Sequence, residues 1–269
     1  MNDDINTTDR TGDLCWLLKD GFCAEERQAG TRGARRSKTA ASVVELPVFI
    51  ARQLCVSLER PPSAKGWIHE IKFDGYRIQM RVLGGDVTLK TRNRLDWTAK
   101  YSAIARTGTR LPDAIIDGEI CALDESGAPD FAALQEALSE GKTDALVYFA
   151  FDLLVEDDED LRPLPLTKRK ERLQQLLADA GDDTRLRFVE HFETGGEAVL
   201  RSACRLSLEG IGSSDRSGSL ESRSRSGRDG SAGSDVASGE TAGFPDRLVS
   251  VPSACPDGFH FRRTFAEHP

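Results

Sequence analysis

The run Glu70-Ile71-Lys72-Phe73-Asp74-Gly75-Tyr76-Arg77 sets one lysine between carboxylates two residues to either side, with an arginine five residues beyond it. Residues 67–73 alternate apolar and polar, which predicts a strand, so Glu70, Lys72 and Asp74 share one face of it. A lysine amine attacks an electrophile only when neutral, a state favoured by desolvation or a nearby cation. Taken alone, the same spacing also fits a ladder of alternating charges on an exposed strand.

The elements that must position this lysine follow from pattern. Residues 76–83 and 87–91 alternate on either side of Gly84-Gly85-Asp86 and predict a β-hairpin. A helix is expected over 98–105, a strand over 114–123, a helix over 131–138 and a buried strand over the apolar run 145–155. After the proline-punctuated Leu161-Arg162-Pro163-Leu164-Pro165-Leu166, Thr167 is expected to cap a helix running to Ala178, with Gly181 ending it. A short strand at 186–189 and a helix at 197–206 lead to Leu208-Glu209-Gly210-Ile211. The reading is an α/β (α+β) domain over 46–211, preceded by a flexible lead-in at 1–45. A serine- and glycine-rich segment at 212–243 is expected to be disordered, because it has too little apolar surface to offset ordering entropy, and a tail at 244–269 is left unassigned.

With 269 residues, 36 Lys plus Arg against 44 Asp plus Glu and a net charge of −8, indiscriminate nucleic-acid binding is disfavoured, although a local basic groove would still attract a polyanion. No run reaches the ~20 apolar residues of a membrane span, and the acidic start differs from a secretory signal, so a cytoplasmic chain without a membrane partner is expected. The six scattered cysteines include no CxxC pair, which points to reduced thiols and no structural zinc.

The Lys72 run is followed in order by Thr91-Arg92-Asn93-Arg94, Asp117-Gly118-Glu119, Tyr148-Phe149-Ala150-Phe151-Asp152 and Leu208-Glu209-Gly210-Ile211. Together these resemble the motifs of the covalent nucleotidyltransferases: ATP-dependent DNA ligases, RNA ligases and capping enzymes. The flanks Arg60-Pro61-Pro62, Gly66-Trp67-Ile68-His69, Leu95-Asp96-Trp97-Thr98 and Leu161-Arg162-Pro163-Leu164-Pro165-Leu166 are similar to the ligase domain of bacterial ligase D, an end-joining DNA ligase. The resemblance implies an adenylation domain of antiparallel sheets with flanking helices, using ATP and Mg2+ on nicked or broken double-stranded DNA, together with bacterial end-joining factors.

In that family the lysine matching Lys72 takes AMP from ATP through a phosphoramidate bond. Glu70 matches a position near the adenine amino group, and Arg77 and Arg92 match positions near the nucleotide and nick phosphates, where guanidinium grips oxygens in pairs. Glu119 matches a nucleotide- and metal-binding glutamate, Phe151 the aromatic packed on adenine, and Glu209 a second metal glutamate. Each has a plainer reading: surface charge for the arginines, a strand carboxylate at a bulge for Glu119, core packing for Phe151. The carboxylates Asp74, Asp117, Glu119 and Glu209 also raise a two-metal nuclease, a poorer account of the Lys72 context and motif order.

The pattern departs after Ile211. The family continues with a lysine, a lysine-x-lysine strand and an oligonucleotide-binding barrel, whereas the last lysine of this chain is Lys170. A change of reading frame or an inserted segment would each produce the switch to Gly212-Ser213-Ser214-Asp215. The barrel is expected to be absent and self-adenylation impaired. The alternative is a catalytically dead fragment that only binds ATP or nicked DNA.

Overall fold

The structure is a computed structural model that describes residues 46–51, 55–181, 183–193, 195–206, 208–220 and 247–250. In chain order its strands are β1 (Val56–Leu58), β2 (Trp67–Lys72), β3 (Tyr76–Leu83), β4 (Asp86–Thr91), β5 (Ala114–Cys121), β6 (Val147–Glu156), β7 (Glu159–Asp160), β8 (Leu186–Phe188), β9 (His191–Phe192), β10 (Gly210–Asp215) and β11 (Arg247–Ser250). The helices are α1 (Ser102–Gly108), α2 (Phe131–Glu140), α3 (Leu166–Asp179) and α4 (Gly196–Arg205). One sheet runs β1-β11-β10-β2-β9 and the other β4-β3-β5-β6-β7, with β8 added to β6. Among the described residues only the β1–β11 and β6–β8 pairs are parallel, so the expected antiparallel sheets with flanking helices are the architecture found.

Local chemistry accounts for most elements. The β3–β4 hairpin closes through Gly84 and Gly85 at φ 59° and 85°, the positive values that a tight two-residue hairpin turn requires. In α2, the Asp130 carboxylate accepts from Ala133 N at 2.9 Å and Gly141 ends the helix at φ 70°. The helix expected at 98–105 divides into a 3-10 turn, Thr98–Tyr101, followed by α1. Thr167 does not cap α3: the helix begins one residue earlier after Pro165, and the Thr167 amide and hydroxyl both donate to Arg216 O.

The main core gathers Ile78, Met80, Val82, Leu89, Ile104, Ile116 and Leu173 between the second sheet and its helices. Each such fully buried side chain contributes about 1.5–3 kcal/mol of transfer free energy. A smaller core of Ile71, Val199, Ala203, Ile211 and Val249 fixes α4 against the first sheet. Outside, Gln79 clamps the Ile50 amide and carbonyl at 2.8 and 3.1 Å, strapping residues 46–51 to the second sheet.

Two expectations for the C-terminal part are corrected. Residues 212–220 are not disordered: β10 carries Gly212 to Asp215 into full antiparallel register with β2, and Leu220 N then donates to Arg162 O at 2.9 Å. Pairing on both sides of β10 supplies what its serines and glycines lack in strand propensity. The tail, to which the sequence assigned no element, contributes β11, which pairs with the edge of β10 away from β2. Cys204 is also held in a disulfide rather than reduced, while the buried Cys121 is a free thiol. The lead-in at 1–45 and residues 221–243 lie outside the described residues.

Candidate active site

Lys72 ends β2, where its backbone faces Gly210 of β10. That register brings Glu209 beside it, and the Lys72 ammonium forms an ion pair with the Glu209 carboxylate. Both side chains are one-third exposed, so a solute can reach them. Glu119 and Asp74 belong to the same field: burial pushes the Cys121 thiol well above its usual range, with Glu119, Asp74 and Glu209 adding to the rise and Lys72 opposing it.

The second wall is built on β3, β5 and β6. Arg77 stands opposite Glu119 in the β3–β5 register and donates to the Asp117 carboxylate at 2.8 Å. Burial opposes the Arg77 charge, yet Asp117, with Glu119 behind it, raises its pKa. Its guanidinium also lies 5.0 Å from the centre of the Phe151 ring, giving that aromatic face a cation neighbour. Gly118 sits at a β-bulge where a Cβ would come within 2.4 Å of the Tyr148 ring. The glycine between the two carboxylates therefore admits β6, not a ligand.

Glu70, two residues before Lys72, is engaged by Lys170 of α3. On the opposite face of β2, the buried His69 ring meets Ser213 Oγ at 2.8 Å, and burial lowers its pKa. Arg92 lies exposed on the turn after the edge strand β4, and is the one expected site residue on that turn. An apolar crevice lined by Ile71, Phe73, Phe149, Phe188, Val189 and Leu208 adjoins the charged group, with Phe73 and Phe149 stacked at 4.1 Å.

The strand after β10 has a telling register. Ser250 pairs with Gly210 and Leu248 with Gly212, while those glycines pair with Lys72 and Glu70. Directly paired residues share a sheet face, so Leu248 and Ser250 are in the rows of Glu70 and Lys72. These rows carry no cation from β11.

Among the described residues no group of three or more His, Cys, Asp or Glu side chains converges as a metal cage. The donor chemistry of Glu119 and Glu209 is of the kind Mg2+ takes, a cation bound through one or two carboxylates with phosphate oxygens and water completing the shell.

Sequence reasoning missed Arg169 and Lys170, which are 1% and 0% exposed. The signal was present: residues 166, 169, 170, 173 and 176 form one helical stripe, and α3 buries all five. Arg169 forks onto Asp152 at 2.8 and 2.9 Å, so the two charges enter the apolar stripe with a carboxylate each.

Residues 53–226 match the model of the ATP-dependent DNA ligase domain family. The multifunctional non-homologous end joining protein LigD of Pseudomonas aeruginosa is 40% identical over 189 residues, covering 70% of this chain and 22% of that protein. The SPbeta prophage-derived DNA ligase-like protein LigB of Bacillus subtilis is 30% identical over 166 residues, covering 61% of this chain and 60% of that protein. Among solved structures, the ligase domain of Mycobacterium tuberculosis LigD superposes with TM-score 0.52 at 27% identity, covering 61% of this chain and 55% of that one. Mycobacterial DNA ligase D complexed with ATP and MES gives 0.51 at 28% identity, with 62% and 55% covered. The chain thus spans less than two thirds of each of these relatives. It belongs to the ATP-dependent DNA ligase family, as a ligase domain of the ligase D type.

Proposed function

We propose that this chain performs the adenylation chemistry of DNA end joining. The Lys72 amine attacks the α-phosphorus of ATP, a P–N bond forms as the bond to the bridging oxygen breaks, pyrophosphate leaves, and the amine loses a proton to solvent. The lysyl-bound AMP then passes to a DNA 5′-phosphate, where a 3′-hydroxyl displaces it to join the strands. The observation that carries this reading is the reachable Lys72–Glu209 pair, formed between two motifs of the matched family.

The other residues take supporting roles. Glu70 accepts from the adenine amino group, and Phe151 stacks on the base with Arg77 fixed against its ring. Arg92, exposed at a sheet edge, meets a phosphate of nicked or broken double-stranded DNA. Glu119 and Glu209 would hold Mg2+, which neutralises phosphate charge when bound. The substrates are cytoplasmic DNA ends presented with bacterial end-joining factors.

Turnover is impaired. With Leu248 and Ser250 in the rows of Glu70 and Lys72, no preorganised cation from β11 meets charge developing at the α-phosphate, a deficit of about 10²-fold. The same observation favours a second reading, a fragment that binds ATP or nicked DNA without covalent transfer. Incubation with α-labelled ATP and Mg2+, followed by denaturing electrophoresis, separates the two. Weak label that remains on the chain and vanishes in Lys72→Ala is expected; a folded chain that binds ATP yet takes no label leaves the second reading.

A further inference from the structure

We propose that Lys170 is a positioning residue that sets the purine preference of the nucleotide cleft by fixing Glu70 and Phe151 relative to one another. The inference rests on the adenylation reading, in which those two residues meet the base.

Lys170 is fully buried, and its ammonium donates to three acceptors: the Glu70 carboxylate, Phe151 O at 3.1 Å and Val189 O at 2.9 Å. An ammonium has three protons, so its donor capacity is used in full. The Phe188 ring lies 4.8 Å away on a further side. The acceptors come from different parts of the fold: Glu70 from β2 in the first sheet, Phe151 from β6 in the second, and Val189 from the link between β8 and β9. Strands β2 and β6 share no backbone ladder, so this one ammonium ties together the two walls of the cleft.

A stability role alone does not explain such a group, because a buried ion pair replaced by well-packed apolar residues is often neutral or stabilising. What the ammonium supplies is direction and distance. The adjacent Arg169 holds the Asp152 carboxylate through two parallel bonds, so α3 grips β6 at two successive residues, the carbonyl of Phe151 and the side chain of Asp152. The same helix turn reaches across to the Glu70 carboxylate. A base stacked on Phe151 therefore meets Glu70 at a fixed height and angle. Adenine presents an amino donor there, whereas hypoxanthine presents a carbonyl that a carboxylate repels.

The test is equilibrium titration of the full chain with ATP and with inosine triphosphate, beside thermal unfolding, for the parent, Lys170→Met and Lys170→Arg. The parent is expected to prefer ATP by about tenfold, the worth of one charge-assisted hydrogen bond. Lys170→Met should bring the ratio to about one, and Lys170→Arg, which keeps the charge but replaces a point contact by a planar fork, to an intermediate value. A merely structural lysine would weaken both nucleotides alike and leave the ratio intact; that result in a folded Lys170→Met overturns the inference while leaving the adenylation reading standing. Should Lys170→Met not fold, an unchanged ratio in Lys170→Arg has the same force. A parent that binds neither nucleotide overturns the adenylation reading and this inference together.

Discussion

Strand β2 contributes to two lysine–glutamate pairs of opposite character. Lys72 meets Glu209 with both side chains 33% exposed, whereas Lys170 meets Glu70 with exposures of 0% and 16%. The first pair is wet: water competes for both charges, and such pairs contribute about 0–1 kcal/mol. The second is dry and surrounded by carbonyl acceptors, and removing one partner of such a pair costs about 3–5 kcal/mol. A nucleophile must leave its partner to reach a phosphorus, so a weak pair suits it. A strut must not move, so a strong one suits that. In the proposed adenylation, two residues of the same strand face thus serve reaction and framework respectively.

The largest effect should come from supplying Lys72 with a charge that the Leu248 and Ser250 rows of β11 lack. A Cβ at Gly212 would meet nothing within 4 Å, so long side chains from β11 have room to lie across these rows. Leu248→Lys combined with Ser250→Lys is expected to raise the initial rate of pyrophosphate release by about 10²-fold, the scale of preorganised charge at a reacting centre. The same substitutions should leave the ATP-to-inosine-triphosphate ratio unchanged, because Lys170 and its acceptors are untouched. An unchanged rate in the folded double variant would place the defect outside β11.

The framework side is sharpened by a neighbour. Arg169→Leu strips Asp152 of its fork just as Lys170→Met strips Glu70 of its ammonium, and each should lower stability by about 3–5 kcal/mol. For a domain of this size that amounts to a fall in Tm of about 10 °C. Lys170→Met should alter nucleotide preference far more than Arg169→Leu, since of the two only Lys170 reaches Glu70. Because the two residues are adjacent and share β6, the double variant should lose less than the sum of the single losses. Equal changes of preference in both variants would reduce the contrast between them to general loosening of α3.

Lys72 and Glu209 could each be singled out in the sequence, though not as partners, whereas Lys170 could not, for a physical reason. Lys72 and Glu209 sit in short motifs whose order along the chain resembles that of the nucleotidyltransferases, and alternation along β2 gives the face of Lys72. Lys170 lies within Lys168-Arg169-Lys170, a run that reads as solvated helix surface until the stripe from Leu166 to Leu176 is counted through it. Its partner is 100 residues distant, and no local rule names it. The strand β10 failed to announce itself for a related reason: Gly-Ile-Gly-Ser-Ser-Asp has weak intrinsic preference, and its order comes from β2 and β11 on either side. The strand β11 contributes four residues from a tail without periodicity, so only the register reveals that Leu248 and Ser250 enter the active rows.

The smallest stability change is also the most direct test of the wet pair. Lys72→Met should abolish label transfer while shifting the urea midpoint by no more than about 1 kcal/mol in free energy, because the ammonium it removes is one-third exposed and the Glu209 left behind can be rehydrated. Glu209→Gln should do the same to stability from the other side. Salt gives a further check: raising ionic strength from 0.1 to 1 M shortens the Debye length from about 10 to about 3 Å, and should erase most of the stability difference between the parent and either variant. The Lys170→Met difference, made in a dry site, should persist at both salt concentrations. If Lys72→Met instead cost as much as Lys170→Met, the Lys72–Glu209 pair would be framework as well. Releasing the amine toward a phosphorus would then require opening the β2–β10 junction, and adenylation would be limited by that opening rather than by missing charge.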